Sequence, residues 1–427
     1  MNGIDTVSVR ELVLIGEAEL TTGPFGTQLK AGEYVESGVP LINVRNIGFG
    51  QVRTGNLEYL SDETALRLDR HKLGADDIVF GRKGAVERHA YISAGQVGWV
   101  QGSDCIRLRL SSARFIPRFV SYFLLTDRHQ QWMKNHCSGA ATMASLNQEI
   151  LGRIELPTVD LRIQRKIASI LSAYDDLIEN NNRRINLLKE MAQRIYREWF
   201  IDFRYPGHET GALVESELGA IPKGWITKRV SDRFDVFLGG TPSRKNPSFW
   251  TDGAVPWINS GQINKLRVIE ASEMITPEAL SSSSTKLMPR GTTLLAITGA
   301  TLGQVSLLEI EACANQSVVG ICDASGDLSE YLYLAISNSI ESIIGAASGG
   351  AQQHINQQNV KDICVLLPDR AVGKLFQSSV QPLFSLLTNL LFANQSLEGS
   401  RDLLLPRLMS GQIDVSDLDI SKPEPAE

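Results

Sequence analysis

The sequence predicts an α/β (α+β) chain built twice. Two similar domains are separated by two long helices that pair as an antiparallel coiled coil, and the whole carries an internal pseudo-twofold duplication. Three observations predict it. Between Ile163 and Phe200 the positions Tyr174, Ile178, Asn181, Ile185, Leu188, Ala192, Ile195 and Trp199 step by four and three in alternation, the spacing of a coiled-coil seam. The same steps recur at Leu383, Leu387, Leu390, Asn394, Leu397, Arg401, Leu404 and Leu408, each 209 residues after its counterpart (383 − 174 = 209). Short anchors outside the helices also recur in order: Val255-Pro256-Trp257-Ile258-Asn259 answers Val39-Pro40-Leu41-Ile42-Asn43, and Val365-Leu366-Leu367-Pro368 answers Ile154-Glu155-Leu156-Pro157. Two ordinary core helices would satisfy the first observation alone, but the constant offset favours duplication. An asparagine interrupts each seam, Asn181 and Asn394, at non-equivalent positions, where an amide can fix pairing at a cost in stability.

Taken in order, residues 1–157 read as the first domain. Its short strands, Val39 to Val44, Asp77 to Phe80 and Ile106 to Leu110, are bounded by turn signals such as Gly23-Pro24 and Gly38. A helix from Ile116 to about Lys134 follows, then a small polar loop from Ser138 to Asn147 and a strand Ile154 to Leu156. Residues 158–203 hold the central helix, ended by Arg204-Tyr205-Pro206-Gly207, and residues 204–224 read as a linker rich in Gly, Glu and Pro. The second domain spans 225–368 and the C-terminal long helix 369–412. Residues 413–427 are acidic and expected to be disordered.

Composition sets further bounds. A chain of 427 residues exceeds the usual single domain, so two domains plus helices are expected. No secretory signal follows Met1 and no apolar run is long enough to span a bilayer, which points to a cytoplasmic chain without a membrane partner. Cys105, Cys137, Cys313, Cys322 and Cys364 are scattered and odd in number, and are read as buried small apolar residues rather than zinc ligands or disulfides. The net charge of −6 does not advertise a nucleic-acid binder, so any such role must rest on local patches.

Catalytic constellations are not found. There is no G-x-x-x-x-G-K-[ST] loop for nucleotide phosphates. The adjacent pairs Asp76-Asp77 and Asp175-Asp176 point apart and so cannot share a proton. The six histidines His71, His89, His129, His136, His208 and His354 form no metal-type pair on one helix face, and are read as surface or loop residues. Asn246-Pro247-Ser248-Phe249 is only faintly similar to the N-P-P-F of amino-methyltransferases: Ser248 breaks it and no glycine-rich cofactor loop accompanies it. Neither a catalytic residue nor a metal site is assigned.

The chain resembles the specificity subunits of Type I restriction–modification systems. The motifs that carry the resemblance are Gly23-Pro24-Phe25-Gly26-Thr27-Gln28-Leu29, Gln164-Arg165-Lys166-Ile167-Ala168-Ser169-Ile170-Leu171, Ile221-Pro222-Lys223-Gly224-Trp225, Gly239-Gly240-Thr241-Pro242-Ser243 and the run from Arg401 to Gly411. They cover nearly the whole chain. Ile163 departs from the glutamate that often precedes the glutamine of the central helix. The resemblance implies two target-recognition domains, each reading half of a bipartite, asymmetric site in double-stranded DNA. It also implies a non-catalytic subunit without cofactors. S-adenosylmethionine would belong to methylation subunits, two of them expected, and ATP with magnesium to a restriction and motor subunit. A self-standing duplicated DNA-binding regulator and a coiled-coil protein scaffold are the alternatives.

Base edges are read by Arg or Lys at guanine and by Asn or Gln at adenine. Loop residues of these types are therefore the candidates: Arg45, Asn46, Arg53, Arg82, Lys83 and Arg88 in the first domain, and Arg244, Lys245, Asn259, Gln262, Asn264 and Lys265 in the second. Gln352, Gln353 and His354, beside Gly349-Gly350, form a further candidate loop. Large apolar residues outside the seams, Leu171, Leu177, Leu187 and Phe200 in the first helix and Leu386, Leu391 and Phe392 in the second, point to further contacts. Leu177 and Leu187 are the expected docking residues for the methylation subunits.

Overall fold

The computed structural model describes residues 5–137, 144–217, 219–347 and 355–419. The central helix runs Leu161–Phe200 and the C-terminal helix Arg370–Met409, 40 residues each, with starts 209 residues apart (370 − 161 = 209). The chain folds as two compact units, Met1–Leu177 with Leu397–Glu427, and Ile178–Ser396. Each unit therefore takes one strand-rich domain and part of both helices.

In the first unit an antiparallel sheet has the order Ala18–Thr22, Cys105–Leu110, Ile78–Gly81, His89–Tyr91. All four residues of Ile78–Gly81 are buried, as a continuous apolar run between two neighbours requires. A second sheet orders Tyr34–Val35, Glu58–Leu60, Val39–Ile42 and Val100–Gln101, the last pair parallel. Thr6–Ser8 pairs with Glu155–Pro157 beside the start of the long helix. The expected helix from Ile116 is two, Pro117–Leu124 and Asp127–Cys137, broken where the Leu125 and Thr126 amides turn back to Tyr122 and Phe123. The first helix begins on Pro117, where the missing N–H costs nothing.

The second unit repeats this plan. Its larger sheet orders Asp235–Leu238, Val318–Cys322, Thr293–Ala296, Val305–Leu308 and Arg267–Val268; the smaller one orders Glu273–Ile275, Val255–Ile258 and Cys313–Ala314. Ile226–Arg229 pairs with Cys364–Leu367, the counterpart of the Thr6–Ser8 pairing. One helix, Ser329–Ala347, stands where the first unit has two. The expected linker is structured instead: Leu213–Ser216 and Gly219–Pro222 form an antiparallel hairpin, and Ile221 joins the core with Phe200 and Trp225.

The helix seams pack as their spacing demands. In the second unit Ile185, Leu188, Ala192 and Trp199 share one core with Phe376, Val380, Leu387 and Leu390, while Ile195 and Leu383 pack against it. Ile178 is buried and Tyr174 and Leu397 half-buried. The two helices run antiparallel, so the non-equivalent asparagines meet. Asn181 Nδ2 donates to Asn394 Oδ1 at 2.8 Å, and Asn394 Nδ2 donates to Asn182 Oδ1 at 2.8 Å. In the first unit Ile167, Ala168 and Leu171 pack with Phe119, Tyr122 and Leu408, and Leu404 packs against them. There Asp175 accepts from Arg118 and from Arg401, each at 2.7–2.8 Å.

Several expectations are corrected by burial. Val415 is 2% exposed and Lys166 donates to the Ser416 carbonyl at 2.6 Å, so the start of the acidic segment is folded onto the helices. His71, His89 and His129 are core residues rather than surface ones. His89 Nε2 lies 2.8 Å from Ser121 Oγ, and burial pushes its pKa down to about 3, with His129 and Arg118 adding to the effect. Cys364 is exposed, whereas the other four cysteines are buried. Leu171 and Phe200 belong to the core, so the apolar surplus outside the seams is narrower than expected: Leu177, Leu187, Leu386 and Phe392 remain exposed and Leu391 is half-buried.

Candidate nucleic-acid interface

In the first unit four loops converge at one end of the two sheets. They leave Thr22, Ile42 and Gly81 and enter Cys105, so strand pairing brings their roots together. Gly23 donates to the Cys105 carbonyl at 2.9 Å, Gly102 to Ile42 at 2.8 Å, and Arg82 to Asp104 at 2.8 Å. The approach is close: a Cβ on Gly23 would lie 1.9 Å from the Gly102 carbonyl oxygen, which restricts that position to glycine.

This convergence gathers the first domain's candidates. Arg53, Arg82, Lys83 and Arg88 lie on these loops and are exposed or half-buried; among the described residues Arg53, Arg82 and Arg88 have no ion-pair partner. Arg82 lies over the Phe25 ring at 5.3 Å and Arg88 over the Phe49 ring at 5.2 Å. The Nε of each arginine is buried without a partner, so the guanidinium tips are the parts left to reach outward. Lys83 pairs with Asp104 at 3.2 Å, an exposed pair that solvent screens, and the exposed Arg45 pairs with the half-buried Glu58 at 2.7 Å. Asn46 leaves the surface set. It is fully buried; its Oδ1 accepts from the Asn43 amide at 3.0 Å and its Nδ2 donates to the Arg53 and Gly55 carbonyls. Its amide holds the loop that carries Arg45 and Arg53.

The second unit has the same loop ends with different chemistry. Gly239 donates to Val318, Asn315 to Ile258 and Ile297 to Ser317, the counterparts of the three bonds above. Where the first unit has Arg82-Lys83, the second has Ile297-Thr298. Arg244 is committed to a two-bond ion pair with Glu273 at 2.6 and 2.7 Å and lies 3.5 Å from the Trp250 ring centroid. Lys265 pairs with Glu270 at 2.8 Å. Lys245 and Asn264 are exposed, and Asn259 caps the following turn by accepting from Gly261. Gln262 is half-buried with its Oε1 unpartnered. Sequence reasoning missed Thr241 and Gln316, whose side chains hydrogen-bond at 2.6 Å on this surface, and Phe25 and Phe49 in the first unit. The signal for Phe25 was an apolar ring inside a Gly-Pro turn. Gln352, Gln353 and His354 lie outside the described residues.

Among the described residues no group of three or more His, Cys, Asp and Glu side chains could hold a metal ion, and no helix is long and apolar enough to cross a membrane. Two copies of one strand-and-loop domain, each presenting polar loops at one sheet end and each packed on part of a helix pair, define a duplicated recognition scaffold. The chain belongs to the Type I restriction modification DNA specificity domain family, whose profile matches residues 50–190 and 222–385, one match per domain copy. The MjaIX specificity subunit of Methanocaldococcus jannaschii is 26% identical over 308 residues, covering 71% of this chain and 70% of its own. The HindI specificity subunit of Haemophilus influenzae is 24% identical over 358 residues, covering 70% of this chain and 78% of its own. The crystal structure of a Type I restriction–modification S subunit from M. genitalium has the same fold, with a TM-score of 0.59 at 14% identity over 96% of this chain and 97% of that one.

Proposed function

We propose that this chain is the DNA-reading subunit of a Type I restriction–modification assembly, with each domain reading one half of a bipartite, asymmetric site. The observation that carries the reading is the duplication itself. Two equivalent sheet ends hold loops of different chemistry, cationic in the first domain and rich in amides and hydroxyls in the second. Equivalent frames with unlike side chains are what two unlike half-sites require. The helix pair serves as spacer: 40 residues span about 60 Å at 1.5 Å per residue, against about 34 Å for a turn of DNA. Its exposed leucines, Leu177 and Leu187, are surfaces for two methylation subunits. Those subunits would bring S-adenosylmethionine, a restriction and motor subunit would use ATP and magnesium, and this chain would supply no catalytic group.

The test is to assemble the chain with methylation subunits, supply labelled S-adenosylmethionine and random DNA, and sequence the modified sites. A two-part site with a fixed gap is expected. A four-residue insertion between Asn182 and Ile185 should lengthen that gap while both half-sites keep their sequences. Modification without sequence preference, or at a single undivided site, would overturn the reading.

A further inference from the structure

Phe25 is an exposed aromatic ring held on a stiff turn. The Phe25 amide donates to Gln28 Oε1 at 3.2 Å and the Gln28 amide donates back to the Phe25 carbonyl at 2.9 Å. Gly26 sits at φ +50°, and Gly23 is pressed against Gly102. On this support the ring is 55% exposed, and Arg82, which has no ion-pair partner among the described residues, lies over it. The counterpart position in the second domain is Thr241, whose hydroxyl is already engaged by Gln316. The ring thus belongs to the first domain's turn and is absent from its counterpart in the second.

A guanidinium without an ion-pair partner over an exposed ring suits a polyanion better than an apolar protein face. Base edges in the major groove present one apolar group, the C5 methyl of thymine. We propose that Phe25 reads a thymine methyl in the half-site met by the first domain, while Arg82, pinned beside the ring, takes a neighbouring phosphate. This rests on the reading of the chain as a DNA-specificity subunit, and Phe25 would then be a specificity residue rather than a fold residue. Its exposure means that Phe25→Ala should leave the domain folded.

The experiment uses the assembled complex and the site identified by modification sequencing. Each thymine of that half-site is replaced singly by deoxyuridine, which removes only the methyl group, and methylation rate and binding are compared. For the wild type, one position should lose roughly three- to tenfold, the scale of one buried methyl contact in a well-fitted site. Phe25→Ala should start lower on thymine and lose nothing further at that position. Wild-type complex that ignores deoxyuridine at every position, or a Phe25→Ala complex as sensitive as wild type, would overturn the inference. So would a Phe25→Ala loss that is the same with deoxyuridine as with thymine throughout, which would mark a wedge between bases, or failure of that variant to assemble, which would mark a protein contact. In each of these outcomes the wild type still modifies a bipartite site; a wild type that modifies no defined site would instead overturn the specificity reading on which the inference stands.

Discussion

Glu309 ties the second domain's buried Arg267 to Thr388 of the C-terminal helix. The Arg267 side chain is 0% exposed and that of Glu309 6%, and they pair at 3.0 Å. Arg290 reaches the other carboxylate oxygen at 2.9 Å, and Thr388, on the helix, donates to the first at 2.8 Å. The Arg267 guanidinium also lies 4.4 Å from the Phe384 ring centroid, again on the helix. Burial pushes the Arg267 pKa below its ordinary value, and Glu309 is the chief group opposing that push. Glu309→Ala would strand a buried guanidinium whose Nε and one terminal nitrogen already lack partners. Removing one partner of a buried pair costs about 3–5 kcal/mol, and at roughly 2–4 °C per kcal/mol for a unit of this size the melting temperature should fall by about 6–20 °C. Glu273→Ala, which breaks the exposed pair with Arg244, should cost under about 1 kcal/mol. Replacing both partners, Arg267→Met with Glu309→Leu, should recover most of the loss, because no charge is left unpaired. Calorimetry of the four proteins decides it. A Glu309→Ala loss no larger than that of Glu273→Ala would refute the reasoning, since the pair would then be as well solvated as a surface one.

The remaining predictions concern acid, salt and partners. His89 and His129 are held neutral, with burial pushing their pKa values down to about 3 and about 4, so the unfolded chain binds protons that the folded one refuses. Their contribution is complete above the ordinary value near 6.5 and is lost as pH falls below it. The loss amounts to about 2 kcal/mol per histidine at pH 5. A melting temperature of the first domain that did not fall between pH 7.5 and pH 5, or a fall undiminished in His89→Gln, would contradict this. For DNA affinity, Arg82→Ala should lower the slope of log K against log salt by about one unit, and Lys83→Ala by less because Asp104 already neutralises it in part; equal slopes across a salt titration would show that Arg82 touches no phosphate. Leu177→Asp with Leu187→Asp should abolish co-purification of methylation subunits while far-UV circular dichroism stays unchanged, because both side chains are half or more exposed; retained assembly would remove these leucines from the docking surface.

Periodicity alone determined the frame of this protein. The alternating steps of four and three place Ile185, Leu188, Leu387 and Leu390 in the seam, and the 209-residue offset sets both helix starts, because these depend on spacing along one chain. The strands Val39–Ile42 and Val255–Ile258 were legible for the same local reason. Tertiary structure decided which of the named polar residues are free to read anything. Trp257 pairs across the sheet with Glu273, and that register sets a carboxylate beside Arg244, 29 residues away in sequence. A turn closing on Arg53 and Gly55 consumes the amide of Asn46, and antiparallel pairing brings Asn181 to Asn394 although the repeat puts them out of step. Leu171 and Phe200 look like Leu177 and Leu187 in a heptad count, yet the first two are covered by residues that strand and helix packing bring from far along the chain. Residue type and spacing are properties of the chain, whereas ion pairing and exposure depend on which distant segment packs alongside, and that is a property of the folded units.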